Sequence, residues 1–175
     1  MLRILVTGAG GFIGPHLLAA LAPLGHTVMA AVRDPQAFLA AHGEGLAARV
    51  FRLNLMAHDP NPEALFVSLG SPDVLMHLAW GGLPHYRSPS HFETEAPSHY
   101  AFLKTMVQGG LRRLAVTGTC LEYGLASGPL AETLPACPVT AYGLGKDILR
   151  RQLELLAATS PFEFLWCRLF YMYGL

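Results

Sequence analysis

The stretch RILVTGAGGFIG, residues 3–14, decides the fold. RILVT (3–7) reads as a buried strand. FIGPHLLAALAPLG (12–25) reads as a helix with Pro15 in its first turn, where proline is tolerated. Between them Gly8, Gly11 and Gly14 form a G-x-x-G-x-x-G turn. Such a turn bends tightly, lets backbone approach a pyrophosphate and packs the helix closely on the sheet. The helix N-terminus adds free N–H groups and the positive end of a dipole. The spacing predicts a dinucleotide-binding turn, with Gly8, Gly11, Phe12, Ile13 and Gly14 at the cofactor. A glycine triplet alone carries little weight; its place after the first strand and before an apolar helix gives it force.

Outward from this unit the pattern repeats. Strands are expected at 27–32, 49–53, 73–79, 112–118 and 162–170, and helices at 35–42, 62–69, 91–110 and 140–158. The strands are apolar throughout, which argues a parallel sheet covered on both faces by helices. Right-handed crossovers then give a doubly wound α/β sheet. Ligands of such sheets bind beyond the carboxyl ends of the strands, at the switch point.

Composition sets the bounds. The 175 residues are 52% hydrophobic and 14% charged, which fits one domain spanning 1–175 with a real core. The formal net charge of zero gives no footprint for nucleic acid or an anionic membrane surface. No long uncharged run suggests a membrane span. The three cysteines, Cys120, Cys137 and Cys167, show neither metal-ligand nor secreted-type spacing, so a cytoplasmic setting is expected and no metal.

The second strand ends in Val32, followed by Arg33 and Asp34. An acid here suits the ribose hydroxyls of NAD, whereas an arginine suits the 2′-phosphate of NADP. Arg33 tilts the expectation towards NADP, and Asp34 keeps NAD open. Further on, TAYGLGKDILRR (140–151) reads as a helix, yet Gly143 and Gly145 lie within the turn that joins Tyr142 to Lys146. Glycine costs a helix about 1 kcal/mol against alanine, so something other than helix propensity shaped this turn.

TGAGGFIG, DVLMHLAW, VTGTCLEYG, AYGLGK and RLFYMYG follow one another along essentially the whole chain. Together they resemble the extended short-chain dehydrogenase/reductases of the nucleotide-sugar epimerase/dehydratase branch. The resemblance implies that Tyr142 and Lys146 are catalytic. Positions i and i+4 share a helix face, and an ammonium there is expected to lower the phenol's pKa. It also puts a hydroxyl at Thr119, with Thr117 as the alternative, to donate to the substrate oxygen. Lys146 and Tyr142 would also meet the cofactor, as would Leu78 and Ala79 in the loop after strand four. Asn54, with Leu55 beside it, stands where relatives often place an adenine-contacting Asp. Thr94 falls where many relatives have Asn. His77 is expected to be a packed, hydrogen-bonded histidine. Trp80, Gly81 and Gly82 would shape the pocket.

Two departures narrow the reading. The 4,6-dehydratases of this branch carry Asp and Glu directly after their Thr, whereas this chain has Cys120 and Leu121. That argues against water elimination. Relatives also continue beyond R-x-x-x-x-Y-G, here ending at Gly174, into a substrate domain; this chain is expected to hold the cofactor domain and catalytic residues without it, as a truncated form or an incomplete sequence. The expected function is NAD(P)-dependent hydride transfer at C4 of a nucleotide-linked 4-keto-6-deoxyhexose. A C4 epimerase is the alternative, and a binding module without turnover is the alternative of another class. A reductase of non-sugar ketones is a further one, since some relatives of that kind share V-R-D-P. A homodimer through helices 91–110 and 140–158 would show an apolar outer stripe on both.

Overall fold

The computed structural model describes residues 1–174. Strands β1 (Arg3–Thr7), β2 (Thr27–Val32), β3 (Arg49–Arg52), β4 (Val74–His77), β5 (Arg113–Thr119) and β6 (Glu163–Leu169) form one sheet. Its order is β3-β2-β1-β4-β5-β6, parallel at every pairing. The chain thus leaves β1 in both directions, and the switch point lies between β1 and β4.

Five α-helices cover the faces: α1 (Gly14–Leu21), α2 (Pro35–His42), α3 (Pro62–Ser68), α4 (Ala96–Gln108) and α5 (Ala141–Thr159). Side chains alternate across a strand, so β1 feeds two cores. Ile4 and Val6 join Val28, Ala30, Leu18 of α1 and Phe38 of α2. Leu5 joins Met29, Leu75 and Leu114 beneath Phe102 and Met106 of α4 and Leu149 and Leu153 of α5. Each fully buried side chain of this size contributes about 1.5–3 kcal/mol.

Local chemistry fixes where the helices start. Asp34 accepts from the Gln36 and Ala37 N–H groups ahead of α2, and Pro35 occupies its first position. Asn61 with Pro62 does the same for α3. Thr140 caps α5 by accepting from Gly143 N–H.

Several boundaries differ from the sequence expectation. The first helix begins at Gly14 rather than Phe12, because residues 8–13 are spent in the turn, and it ends in a 3₁₀ turn at Ala22–Leu24. The helix expected at 91–110 opens with a π-helical turn, His91–Glu95, before α4 proper. The fourth strand stops at His77, which frees residues 78–81 to form the cleft wall. The apolar outer stripe expected on α4 and α5 is broken by polar residues. Pro97, Ala101, Lys104 and Gln108 face outward on α4, and Arg151 and Glu154 interrupt Leu144 and Leu155 on α5. Among the described residues no helix is long and apolar enough to cross a membrane.

Candidate active site

The glycine turn is built by contact as well as by curvature. Gly8 has φ +70°, and a Cβ there would sit 2.6 Å from Ala79 N. The ends of β1 and β4 therefore approach only because position 8 lacks a side chain. Gly11 N–H donates to Gly8 O at 3.0 Å, and Leu78 N–H to Thr7 O at 3.1 Å. A Cβ on Gly14 would collide with the Ala9 carbonyl. No side chain caps α1, so its first-turn N–H groups stay open to an anionic ligand.

Two clefts meet at this turn. One, of about 600 Å³, is lined by Gly8, Gly11, Arg33, Asn54, Leu55, Leu78 and Ala79. The other, of about 980 Å³, is lined by Gly8, Gly11, Phe12, Ile13, Gly14, Leu78, Thr119, Tyr142 and Lys146. The residues expected to be catalytic or to meet the cofactor thus all lie on one of two hollows that share Gly8, Gly11, Leu78 and Trp80. A dinucleotide fits this form: two nucleoside halves, with the pyrophosphate over glycine backbone.

Within the smaller cleft the polar groups are unequally free. Arg33 is exposed at the rim. Asp34 spends one carboxylate oxygen on the α2 cap. The Asn54 side-chain oxygen accepts from Met56 N–H at 3.1 Å, leaving its NH₂ for a ligand. Thr94 is turned away, its hydroxyl donating to Ser90 O.

In the larger cleft the electrostatics depart from the sequence expectation. The Tyr142 phenol is pushed up to about 12, chiefly by burial, while a polar contact with the Thr119 hydroxyl pulls the other way. Lys146 is fully buried and brought down to about 7 by desolvation, against the opposing pull of Glu122 and Glu95. Its ammonium donates to Thr117 O at 2.7 Å and lies 4.1 Å from the centroid of the Trp80 ring. The expected lowering of the tyrosine pKa by Lys146 is therefore corrected: burial of the phenol wins, and the lysine's own charge is depressed. Tyr142 is held protonated in an aromatic setting, its ring 5.3 Å from His91, 5.6 Å from Tyr86 and 6.0 Å from Trp80.

Thr119 closes β5 and starts a 3₁₀ turn, Cys120–Tyr123. Its oxygen accepts from Leu121 N–H at 3.3 Å, which leaves the hydroxyl hydrogen to donate. Thr117 donates to His77 O at 3.2 Å and faces the same cleft. The two helix glycines answer to packing. A Cβ on Gly143 would lie 2.5 Å from Leu121 O, and one on Gly145 would collide with His91 O. They let α5 press its Tyr142–Lys146 turn against the loop after β5 and the π-helical turn.

One network was not anticipated. His99 Nε2 lies 3.1 Å from a Glu95 oxygen, His77 Nε2 lies 2.7 Å from His99 Nδ1, and Thr7 Oγ1 lies 2.7 Å from His77 Nδ1. Burial keeps both rings below the ordinary histidine value. With neutral rings and an ionised Glu95, one assignment satisfies the chain: His99 donates to Glu95, His77 to His99, and Thr7 to His77. Glu95 also accepts from Gly81 N–H at 3.0 Å, tying the loop after β4 to the start of α4. The sequence signal was there, Glu95 and His99 at i and i+4 on one helix face, but it names a partner only once the fold brings His77 alongside.

This is the architecture of a dinucleotide-binding α/β domain whose second cleft gathers a hydroxyl, a phenol and an ammonium. Residues 4–175 match the NAD dependent epimerase/dehydratase family, and the chain belongs to it. It is 31% identical over 177 residues, 99% of its length, to a dTDP-6-deoxy-L-talose 4-dehydrogenase (NAD(+)) of Aggregatibacter actinomycetemcomitans. Among solved structures it resembles TunA, an NAD-dependent NDP-hexosamine 5,6-dehydratase involved in tunicamycin biosynthesis (26% identity, TM-score 0.80, 99% of this chain). It also resembles a UDP-glucose-4-epimerase of Stenotrophomonas maltophila with bound NAD and formylated UDP-arabinopyranose (26% identity, TM-score 0.79, 96% of this chain). The chain spans 62% of the dehydrogenase, 56% of the dehydratase and 52% of the epimerase.

Proposed function

We propose that this chain carries the cofactor-binding and proton-handling parts of an NAD(P)-dependent nucleotide-sugar oxidoreductase that reduces C4 of a 4-keto-6-deoxyhexose. The observation that carries the reading is the Tyr142 phenol, with Thr119 and Lys146, on the wall of the cleft that opens from the glycine turn. Reduction of a ketone needs a proton donor at its oxygen, and a neutral phenol is that donor. The cofactor, when bound, supplies the hydride. Gly8, Gly11 and the first turn of α1 would hold its pyrophosphate, and Lys146 would hold the ribose nearest the reacting ring. Tyr142 gives its proton to the carbonyl oxygen as the C4 hydroxyl forms, and the Thr119 hydroxyl donates to the same oxygen.

The relative from Aggregatibacter supports the substrate class, because an oxidation at C4 of a 6-deoxyhexose is this reduction run backwards. Water elimination is disfavoured by the surroundings of Thr119. Cys120 and Leu121 follow it, and the nearest carboxylate, Glu122, is fully buried and already bonded. The likeness to a UDP-glucose-4-epimerase favours a second reading, C4 epimerisation, in which no cofactor is consumed.

For the cofactor, exposed Arg33 and a partly occupied Asp34 favour NADPH, while the NAD in the names of the relatives favours NADH. The test is oxidation of the reduced cofactor, followed by loss of its nicotinamide absorbance, with dTDP-4-keto-6-deoxyhexose, using each cofactor in turn. Stoichiometric oxidation supports the reductase. Isomerised sugar with no net oxidation supports the epimerase, and neither would overturn both.

A further inference from the structure

We propose that Glu122 is a positioning residue for Thr119, its buried carboxylate fixing the end of β5 so that the Thr119 hydroxyl faces the cleft. The inference rests on the reading of Thr119 as the hydroxyl that orients the substrate oxygen.

Glu122 is fully buried. Its Oε1 accepts from Thr119 N–H at 2.8 Å and from Trp166 Nε1 at 3.0 Å. Its Oε2 accepts from Arg168 Nε at 2.8 Å and lies 3.7 Å from Arg150 Nε. Every partner is a donor and two are cations, so the group stands as a carboxylate making charge-assisted bonds. Arg168 is itself held, donating to Tyr123 Oη at 3.0 Å. The carboxylate therefore joins β5, β6 and α5 at the single backbone N–H that precedes the Thr119 side chain.

Gly118 gives independent support. A Cβ there would collide with both Trp166 Nε1 and Glu122 Oε1. The chain thus keeps the residue before Thr119 bare, and the carboxylate occupies that space. A 3₁₀ turn of four residues needs far less than this to be capped.

A purely structural Glu122 would lower stability and leave the chemistry of Thr119 alone, so the test is a double-mutant cycle. Thr119→Val, Glu122→Gln and the double variant of the full chain are assayed for reduction of dTDP-4-keto-6-deoxyhexose, with circular dichroism checking the fold. In the wild-type background Glu122→Gln is expected to lower kcat about ten- to hundredfold with KM nearly unchanged. In the Thr119→Val background it is expected to lower kcat no further. Gly118→Ala, which pushes the same carboxylate aside, is expected to show the same split. If Glu122→Gln does not fold, Trp166→Phe, which removes one donor and keeps a ring, takes its place in the cycle. Equal factors in both backgrounds, or an unchanged kcat in the first, would overturn the inference alone. An unchanged kcat for Thr119→Val would overturn it together with the reading beneath it.

Discussion

Lys146 donates to the backbone carbonyl of Thr117 at 2.7 Å, one turn of α5 beyond the tyrosine it was expected to serve. The bond pins α5 to the end of β5 and buries the ammonium completely, against the face of Trp80. Burying a cation with a carbonyl and a ring as its close partners is costly. The position is thus held at the expense of stability.

Lys146→Met is accordingly expected to stabilise the chain at neutral pH while abolishing most turnover. The folded pKa of about 7 lies below the ordinary 10.5, so between these values the unfolded chain binds more protons. Wild-type stability rises with pH across that window. The advantage of the variant is full below about pH 7, about 1–4 kcal/mol, and fades as pH approaches 10.5. Thermal melts at several pH values check this; a destabilised variant at pH 6 would refute it.

Gly145→Ala reverses a familiar rule. In an exposed helix interior the change gains about 1 kcal/mol. Here the new methyl would collide with the His91 carbonyl, which is backbone and cannot swing away. The expected outcome is a loss of about 1–3 kcal/mol and weaker turnover, since Tyr142 and Lys146 move with the helix. Urea denaturation of the variant decides the sign.

Acid should weaken the fold earlier than carboxylates alone would dictate. His77 and His99 are held neutral by burial, with folded pKa values below 6.5. The unfolded chain therefore binds more protons as pH falls below about 6.5, and stability drops. Glu95, lowered mainly by its bond to His99, adds a further loss as pH falls through its folded value. Melting temperature is expected to decline steadily from pH 7 to pH 5. A flat profile over that range would mean that the histidine chain does not govern acid stability.

Most of the sheet was legible because its period and punctuation are local. Glycine at 8, 11 and 14 and the apolar strands each declare themselves within a few residues. The candidate catalytic hydroxyl, phenol and ammonium came from resemblance, and the fold lines them on one cleft. What escaped was what depends on distant partners. Glu122 gains meaning only beside Trp166 and Arg168, some forty residues on. The balance between burial and charge at Tyr142 likewise depends on depth in the fold, which spacing does not encode.

Arg33→Ala separates the two cofactors. If Arg33 binds a 2′-phosphate through charge-assisted hydrogen bonds, its loss weakens NADPH about tenfold or more and leaves NADH nearly unchanged. Titrations followed by nicotinamide fluorescence measure both. An equal effect on the two would mean that Arg33 does not read the phosphate.

The most direct test of the account is Tyr142→Phe. The substitution keeps the ring and its contacts with His91, Tyr86 and Trp80 and removes only the proton donor. Dinucleotide affinity and melting temperature are expected to stay near wild type, while turnover of the 4-keto-6-deoxyhexose nucleotide falls about 10²- to 10⁴-fold. Turnover within a factor of two or three of wild type would contradict the assignment of Tyr142 as the acid, and with it the proposed reaction.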